Sequence, residues 1–164
     1  MKRGVILKIN KNIIKYLIIV LLIATTIFYI NSIFNNDEIN AANTNNVSDV
    51  QLLARAINGE ARGESYEGQV AVGAVILNRV KSSKFPNSIA GVIYQPGAFT
   101  AVDDGQINEP IAEGSTVLKA AQDALNGWDP TNGAIYYFNP DTATSSWIWS
   151  RPLIKTIGKH RFCR

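Results

Sequence analysis

The chain has 164 residues and only one cysteine and one histidine. A lone Cys163 excludes an intrachain disulfide, and His160 is its only possible imidazole partner. Cys/His metal ligation and Ser-His or Cys-His nucleophiles therefore have little basis, and no metal or cofactor is expected. Cys163 reads instead as a small apolar filler at the end of a strand. Acid is missing from residues 1–34, which hold Lys2, Arg3, Lys8, Lys11 and Lys15. From Ile39 to Arg164 there are 11 cations and 11 anions, so the net charge of +3 belongs to the N-terminal segment. A neutral remainder gives no warrant for nucleic-acid binding. Acid is also missing after Asp141, where Arg151, Lys155, Lys159, Arg161 and Arg164 stand. A solvated basic end is the plain reading, and contact with an anionic polymer the functional one.

Charge of either sign is absent from Tyr16 to Phe34, nineteen residues long. That length spans a bilayer, and the basic flank before it orients the N-terminus to the cytoplasm. A cleavable signal peptide is the alternative, with Ala41-Ala42 as the small-residue site. Both readings export the rest of the chain. Six of the thirteen residues in NNDEINAANTNNV (35–47) are Asn, a composition expected to form a disordered tether. The expected organisation is an anchor or signal over 1–34, a linker over 35–47 and one folded domain over 48–164.

Within that domain, Ser48 followed by Gln51 predicts a helix start of capping-box type. Leu53, Ala56, Ile57 and Glu60 then recur at i, i+3, i+4 and i+7, so Glu60 lies on the stripe that faces the core. Gly63 is positioned to end the helix. A carboxylate at a helix end turned toward the interior suits protonation of a leaving group. A structural ion pair with Arg55 or Arg62 is the alternative on spacing alone. Glu64 lies one turn on if the helix continues that far.

Residues 67–80 are apolar on nearly every side and free of proline, which favours a buried helix, with Gly68, Gly73 and Ala74 allowing close packing. A loop comes next over 81–86 and a short helix or turn over 89–94. PGAFTAVDDGQI (96–107) reads as a loop, with Asp103 and Asp104 as a weak cation site or a solvated turn. Ser115 to Asn126 predicts an amphipathic helix stopped by Gly127, with Val117, Leu118, Ala121 and Leu125 inward. Residues 134–138 predict a strand. Residues 146–149 and 155–162 read as two further strands or extended segments. Tyr136, Tyr137, Trp147 and Trp149 are either core or a stacking surface for sugar rings.

Five stretches carry a resemblance beyond these patterns: LLARAINGEARGESYEGQVAVGAVILNRV, PGAFTAVDDGQI, DALNGWDP, YYFNPDTATSSWIWSRP and IGKHRFCR. Over about residues 50–164 the chain resembles the catalytic domain of the spore cortex-lytic enzyme family, cell-wall hydrolases of the SleB type. The resemblance implies a small α+β domain with a cleft, lysozyme-like and similar to lytic transglycosylases and resuscitation-promoting factors, with a short antiparallel sheet. It implies cleavage of peptidoglycan glycan strands in spore cortex containing muramic-δ-lactam, during germination, with a 1,6-anhydro product. The motif glutamate falls on Glu60, as acid and then base. Glu64, Thr100, Tyr137 and Asn139 are expected to bind or position substrate. Peptidoglycan and the cytoplasmic membrane are the expected partners, with a membrane-associated protein that stabilises such enzymes in the spore. Relatives often carry a peptidoglycan-binding module before the catalytic domain, where this chain has the Asn-rich stretch. Vegetative wall turnover therefore stays open, as does a non-catalytic wall-binding module on an anchor.

Overall fold

The computed structural model describes residues 11–164, and the side chains of all of these except 13 and 34–47. Lys2, Arg3 and Lys8 of the basic flank lie outside the described residues. The chain divides into two compact units, Met1–Asn45 and Asn46–Arg164.

The first helix, α1, runs Lys11–Ala61. It includes an apolar stretch, Ile14–Ile33, of mean hydropathy 2.2. Large side chains along that stretch are exposed, Leu17 at 63% and Phe28 at 77%. Two expectations are corrected here. The Asn-rich stretch 35–47 is helical rather than irregular, and Ser48 is inside the helix rather than at its cap. Asn is a mediocre helix former, but 35–47 contains neither Gly nor Pro, the residues whose cost would stop propagation.

In the second unit, the last turns of α1 meet α2 (Tyr66–Lys81) and α5 (Thr116–Leu125). Leu53, Ala56 and Ile57 are fully buried, as the periodicity requires. α2 is the expected buried helix: Val70, Val72 and Ile76 join one core cluster, while Ala71 and Val75 join a second. Gly73 leaves room for Ile57 of α1 and Ala124 of α5 to close on it. Ser115 caps α5 by accepting from the Leu118 amide at 3.4 Å, and Val117, Ala120, Ala121 and Ala124 form its buried stripe. Leu118 and Leu125, expected inward, are only partly buried.

The connection between α2 and α5 is more ordered than expected. It holds α3 (Ile89–Ile93), α4 (Thr100–Asp103) and a single 3-10 turn at Gln106–Asn108. So the predicted loop 96–107 carries two short helical turns, pinned by the burial of Phe99, Ala101 and Ile107.

The fold is α+β, closed by a three-stranded antiparallel sheet in the order β1-β3-β2. β1 is Tyr136–Phe138, β2 is Leu153–Ile157 and β3 is His160–Cys163. The stretch expected as one strand over 155–162 is a hairpin, turning at Gly158-Lys159 between the paired Ile157 and His160. Gly158 has φ +55°, which a two-residue hairpin demands of its first turn residue. Residues 146–149 are also corrected: they form a helical turn, α6, that places Ile148 inward and leaves Trp147 and Trp149 about half exposed. Period-two reading fails there because one buried residue per turn suffices. Phe162 is fully buried in the second cluster against Ala71 and Val75, a placement that contributes about 1.5–3 kcal/mol. Cys163 is free and buried at the end of β3, as expected.

Candidate active site

Glu60 stands at the C-terminal end of α1, one helical step beyond the buried Leu53–Ala56–Ile57 face. Neither Arg55 nor Arg62 pairs with it among the described residues; Arg62 donates to Gln106 Oε1 at 2.6 Å instead. One carboxylate oxygen, Oε1, accepts from the Ala101 amide at 3.0 Å. The other, Oε2, accepts from the Tyr137 hydroxyl at 3.0 Å. Three separate elements thus converge on one side chain: α1 supplies the acid, α4 a backbone N–H, and β1 a phenol.

That convergence depends on Gly59. A β-carbon there would overlap Ala101 Cβ, so only glycine lets α4 approach α1 closely enough for its amide to reach Glu60. The motif glycine beside the glutamate therefore acts through packing.

Burial raises the Tyr137 pKa well above its ordinary value, and the neighbouring Glu60 charge and hydrogen bond raise it further. The phenol is consequently a permanent O–H. A hydroxyl can donate to a carboxylate or accept from a carboxylic acid, so Tyr137 can remain bonded to Glu60 in both protonation states. Tyr137→Phe is expected to lower catalytic turnover about tenfold, the scale of one buried hydrogen bond to a charged group, with little change in substrate affinity. Steady-state kinetics on the glycan strands that the sequence resemblance implies as substrate would check it, and an unchanged kcat would remove this role.

Glu60 opens into a cavity of about 330 Å³ also lined by Thr100, Asp103, Tyr137, Asn139 and His160. Adjoining it is a second cavity of about 470 Å³, lined by Tyr136, Phe138 and Trp147 among others. The two share Arg79, Tyr137 and Phe138 and form one continuous groove. Of the residues expected from sequence, Glu60, Thr100, Tyr137 and Asn139 meet in this cavity. Asn139 also braces the turn after β1, its Oδ1 accepting from the Asp141 amide at 2.9 Å.

Glu64 is not brought into the cavity lining. α1 ends at Ala61, so Glu64 lies in the following turn and not on the same helix. Its Oε2 accepts from the Lys159 amide at 3.0 Å, which ties the α1–α2 turn to the β2–β3 hairpin. Gly158, favoured there by its φ of +55°, also leaves the space this carboxylate occupies, since a β-carbon would displace it. Glu64 Oε1 faces His160 Nδ1 at 3.8 Å, too long for a hydrogen bond. Burial lowers the His160 pKa despite Glu64 and Glu60 nearby, so the ring is neutral at pH 7. It packs edge-on against Tyr137, with ring centres 5.2 Å apart.

Three contributors to the site are not expected from sequence. The Ala101 amide has no side-chain signal. His160 has little basis as a nucleophile's base, and stands here as a neutral wall behind Tyr137. Arg79 is buried at 8% exposure in the last turn of α2, and a cation there, just after the apolar run over residues 70–77, is the available clue.

The model of the family described as Cell Wall Hydrolase matches residues 63–163. The chain belongs to the cell wall hydrolase family. The match begins just after Glu60. A spore cortex-lytic enzyme of Bacillus cereus is 60% identical over 129 residues, which cover 79% of this chain and 49% of that protein. One from Bacillus subtilis (strain 168) is 65% identical over 116 residues, 71% of this chain and 37% of the relative. The chain thus spans about half or less of the length of these curated relatives. Among solved structures, the catalytic domain of the Bacillus cereus SleB protein is 66% identical, with a TM-score of 0.67 over 71% of this chain and 89% of that domain. The catalytic domain of the germination-specific lytic transglycosylase SleB from Bacillus anthracis is 65% identical, with a TM-score of 0.68 over 71% and 93%. This cell wall hydrolase chain therefore shares its α+β architecture with solved SleB catalytic domains.

Proposed function

We propose that this chain cleaves the glycan strands of spore-cortex peptidoglycan during germination, as a lytic transglycosylase with Glu60 as its acid and base. The observation that carries the reading is one carboxylate, opening into a groove, with each oxygen held by a separate donor. The relatives named as spore cortex-lytic enzymes and as a lytic transglycosylase support the substrate and the reaction class.

Protonated Glu60 gives its proton to the glycosidic oxygen as that bond breaks. The carboxylate left behind is stabilised by the Ala101 N–H and the Tyr137 O–H, which are already oriented and need no reorganisation. It then takes the proton from the muramoyl 6-hydroxyl, whose oxygen closes the 1,6-anhydro ring. Acid and base are the same group in successive steps, so no second carboxylate is required. Glu64 is unsuited to that second role, since its carboxylate binds the hairpin. Thr100 and Asn139 border the space where sugar hydroxyls would lie.

Hydrolysis is the second reading, favoured by one observation: exposed Asp103 lines the same cavity as Glu60. Two carboxylates flanking a bond can direct water onto it. Borohydride reduction of the products followed by mass spectrometry separates the two. Muropeptides that resist reduction and carry the mass of a 1,6-anhydro ring are expected. Reducible ends throughout would establish hydrolysis and reject the one-carboxylate mechanism.

We also propose that Ile14–Ile33 places the second unit outside the cytoplasmic membrane, either as an anchor or as an export signal. A helix apolar around its circumference and exposed along its length suits lipid rather than water. Alkaline phosphatase fused after Arg164 is expected to be active in cells. Activity of a cytoplasmic reporter alone at that position would reverse the topology.

A further inference from the structure

At the Glu60 end the charged lining groups include Glu60, Asp103 and Arg79, the last shared with the adjoining cavity. In the adjoining 470 Å³ cavity the only charged lining residue among the described residues is Arg79. Arg79 is 8% exposed, yet it has no carboxylate within ion-pair distance among the described residues. Its Nε donates to the Ile135 carbonyl at 2.8 Å, which fixes the plane of the guanidinium. The rings of Phe99, Phe85 and Tyr136 surround it at 5.2, 5.3 and 5.8 Å.

A second cation stands at the rim. The exposed Arg151 guanidinium lies 5.1 Å from the centre of the same Tyr136 ring and 4.8 Å from that of Trp147. It too has no carboxylate partner among the described residues. Two guanidinium groups therefore share one aromatic ring with no carboxylate in ion-pair contact, and the Glu60 charge acts on Arg79 only from across the cavity. Aromatic faces offset part of the cost of keeping a buried cation dry, but they do not neutralise it or satisfy its terminal N–H groups. A carboxylate does both, and the planar fork of Arg matches it in two parallel hydrogen bonds.

We infer that the Tyr136–Trp147 half of the groove is a carboxylate subsite, with Arg79 as its floor and Arg151 at its rim, occupied by the carboxylate that a peptidoglycan strand carries on a muramoyl lactyl group or on its stem peptide. This inference rests on the glycan-strand reading above and adds a charged group to what the site recognises. The subsite orients the strand: its anionic substituent lies at the cationic end, and the bond to be cut lies over Glu60. A neutral acetamido carbonyl could accept from one donor, but it would leave the two cations uncompensated.

The test uses the full chain in detergent micelles carrying Glu60→Gln, so that ligand is bound without turnover. Soluble glycan fragments with intact stems, the same fragments with every carboxylate amidated, and fragments stripped of stems to leave the lactyl carboxylate are titrated by tryptophan fluorescence. Intact fragments are expected to bind about tenfold more tightly than amidated ones, the scale of one charge-assisted contact. Arg151→Gln should bring the intact fragments close to the amidated affinity. Arg79→Gln should do the same, but it also loosens Ile135 and three rings, so the exposed Arg151 decides. Stripped fragments that bind more tightly than their own amidated forms identify the lactyl carboxylate, which is free only where no stem is attached, as an occupant, and a preference confined to the intact fragments identifies the stem. Equal binding of free and amidated fragments, with intact stems and without them, overturns the subsite while leaving strand recognition standing. A preference undiminished in Arg151→Gln also overturns it. No binding of any fragment rejects the subsite and the strand reading together.

Discussion

Glu60→Gln is expected to reduce cleavage of cortex peptidoglycan by at least ~100-fold, the lower end of what a positioned acid–base group supplies. The amide keeps the size of the carboxyl, and its oxygen can still accept from the Ala101 N–H. Its NH2 can turn to Tyr137, whose hydroxyl is able to accept as well as donate. The hydrogen-bond frame therefore survives while the transferable proton is lost. Thermal unfolding should be nearly unchanged, because a partly buried charge has been replaced by a neutral isostere. Muropeptide release by the variant and by the parent chain, measured side by side, decides the matter. Parent-level activity in Glu60→Gln would remove the mechanism and leave a catalytically silent wall-binding module as the better account. Loss of activity with a collapsed fold would show instead that the carboxylate is structural.

Gly59→Ala is expected to damage the site almost as severely without touching a reacting group. The new β-carbon would occupy the place of Ala101 Cβ, and neither partner is free to yield. Ala101 is 1% exposed on the inner side of α4, and Gly59 follows the fully buried Ala56 and Ile57 on α1. Overpacking of this kind costs about 1–3 kcal/mol, a shift of several degrees in Tm for a domain of this size. The larger consequence is geometric. If α4 moves outward, the Ala101 amide leaves Glu60 Oε1, now 3.0 Å away. Misplacement of a catalytic group by ~1 Å costs on the order of 100-fold in rate. The collision itself can be tested by Gly59→Ala combined with Ala101→Gly, which moves the methyl from one helix to the other. The double variant should recover most of the lost activity, at a cost of about 1 kcal/mol for glycine in a helix. Failure to recover, with the fold intact, would mean that Gly59 matters for some other reason than its contact with α4.

Much of the second unit is legible in one dimension. Leu53, Ala56, Ile57 and Glu60 share a face because a helix repeats every 3.6 residues, and local hydrogen bonding enforces that period wherever the chain is later placed. The α2 and α5 helices, the Ser115 cap and the β1 strand are local in the same sense. Glu60 can be singled out from its register, and the long motifs around it add the chemistry. Short elements are less legible. Four residues at 146–149 hold a single helical turn, and no periodicity can be read from one turn. The hairpin over 153–163 reads as one segment in sequence because its turn, Gly158-Lys159, carries only one glycine as a signal.

Tertiary structure alone decided which groups meet. The Ala101 amide is 41 residues from Glu60 and the Tyr137 hydroxyl 77, and each reaches it only because α4 and β1 are packed against α1. A backbone N–H has no residue type to betray it, so no motif could have named Ala101. Glu64 shows the converse. Its spacing from Glu60 suggests a shared helix face, yet α1 stops at Ala61 and the carboxylate closes onto Lys159, 95 residues away. Sequence determined that this protein presents a carboxylate at the inward end of a helix and an apolar segment long enough for a membrane, because both are properties of local period and composition. Its donors, the groove it faces and the unpaired Arg79 in the groove wall were decided by packing, because long-range contacts depend on how closely elements approach, and here on a glycine that lets two helices touch.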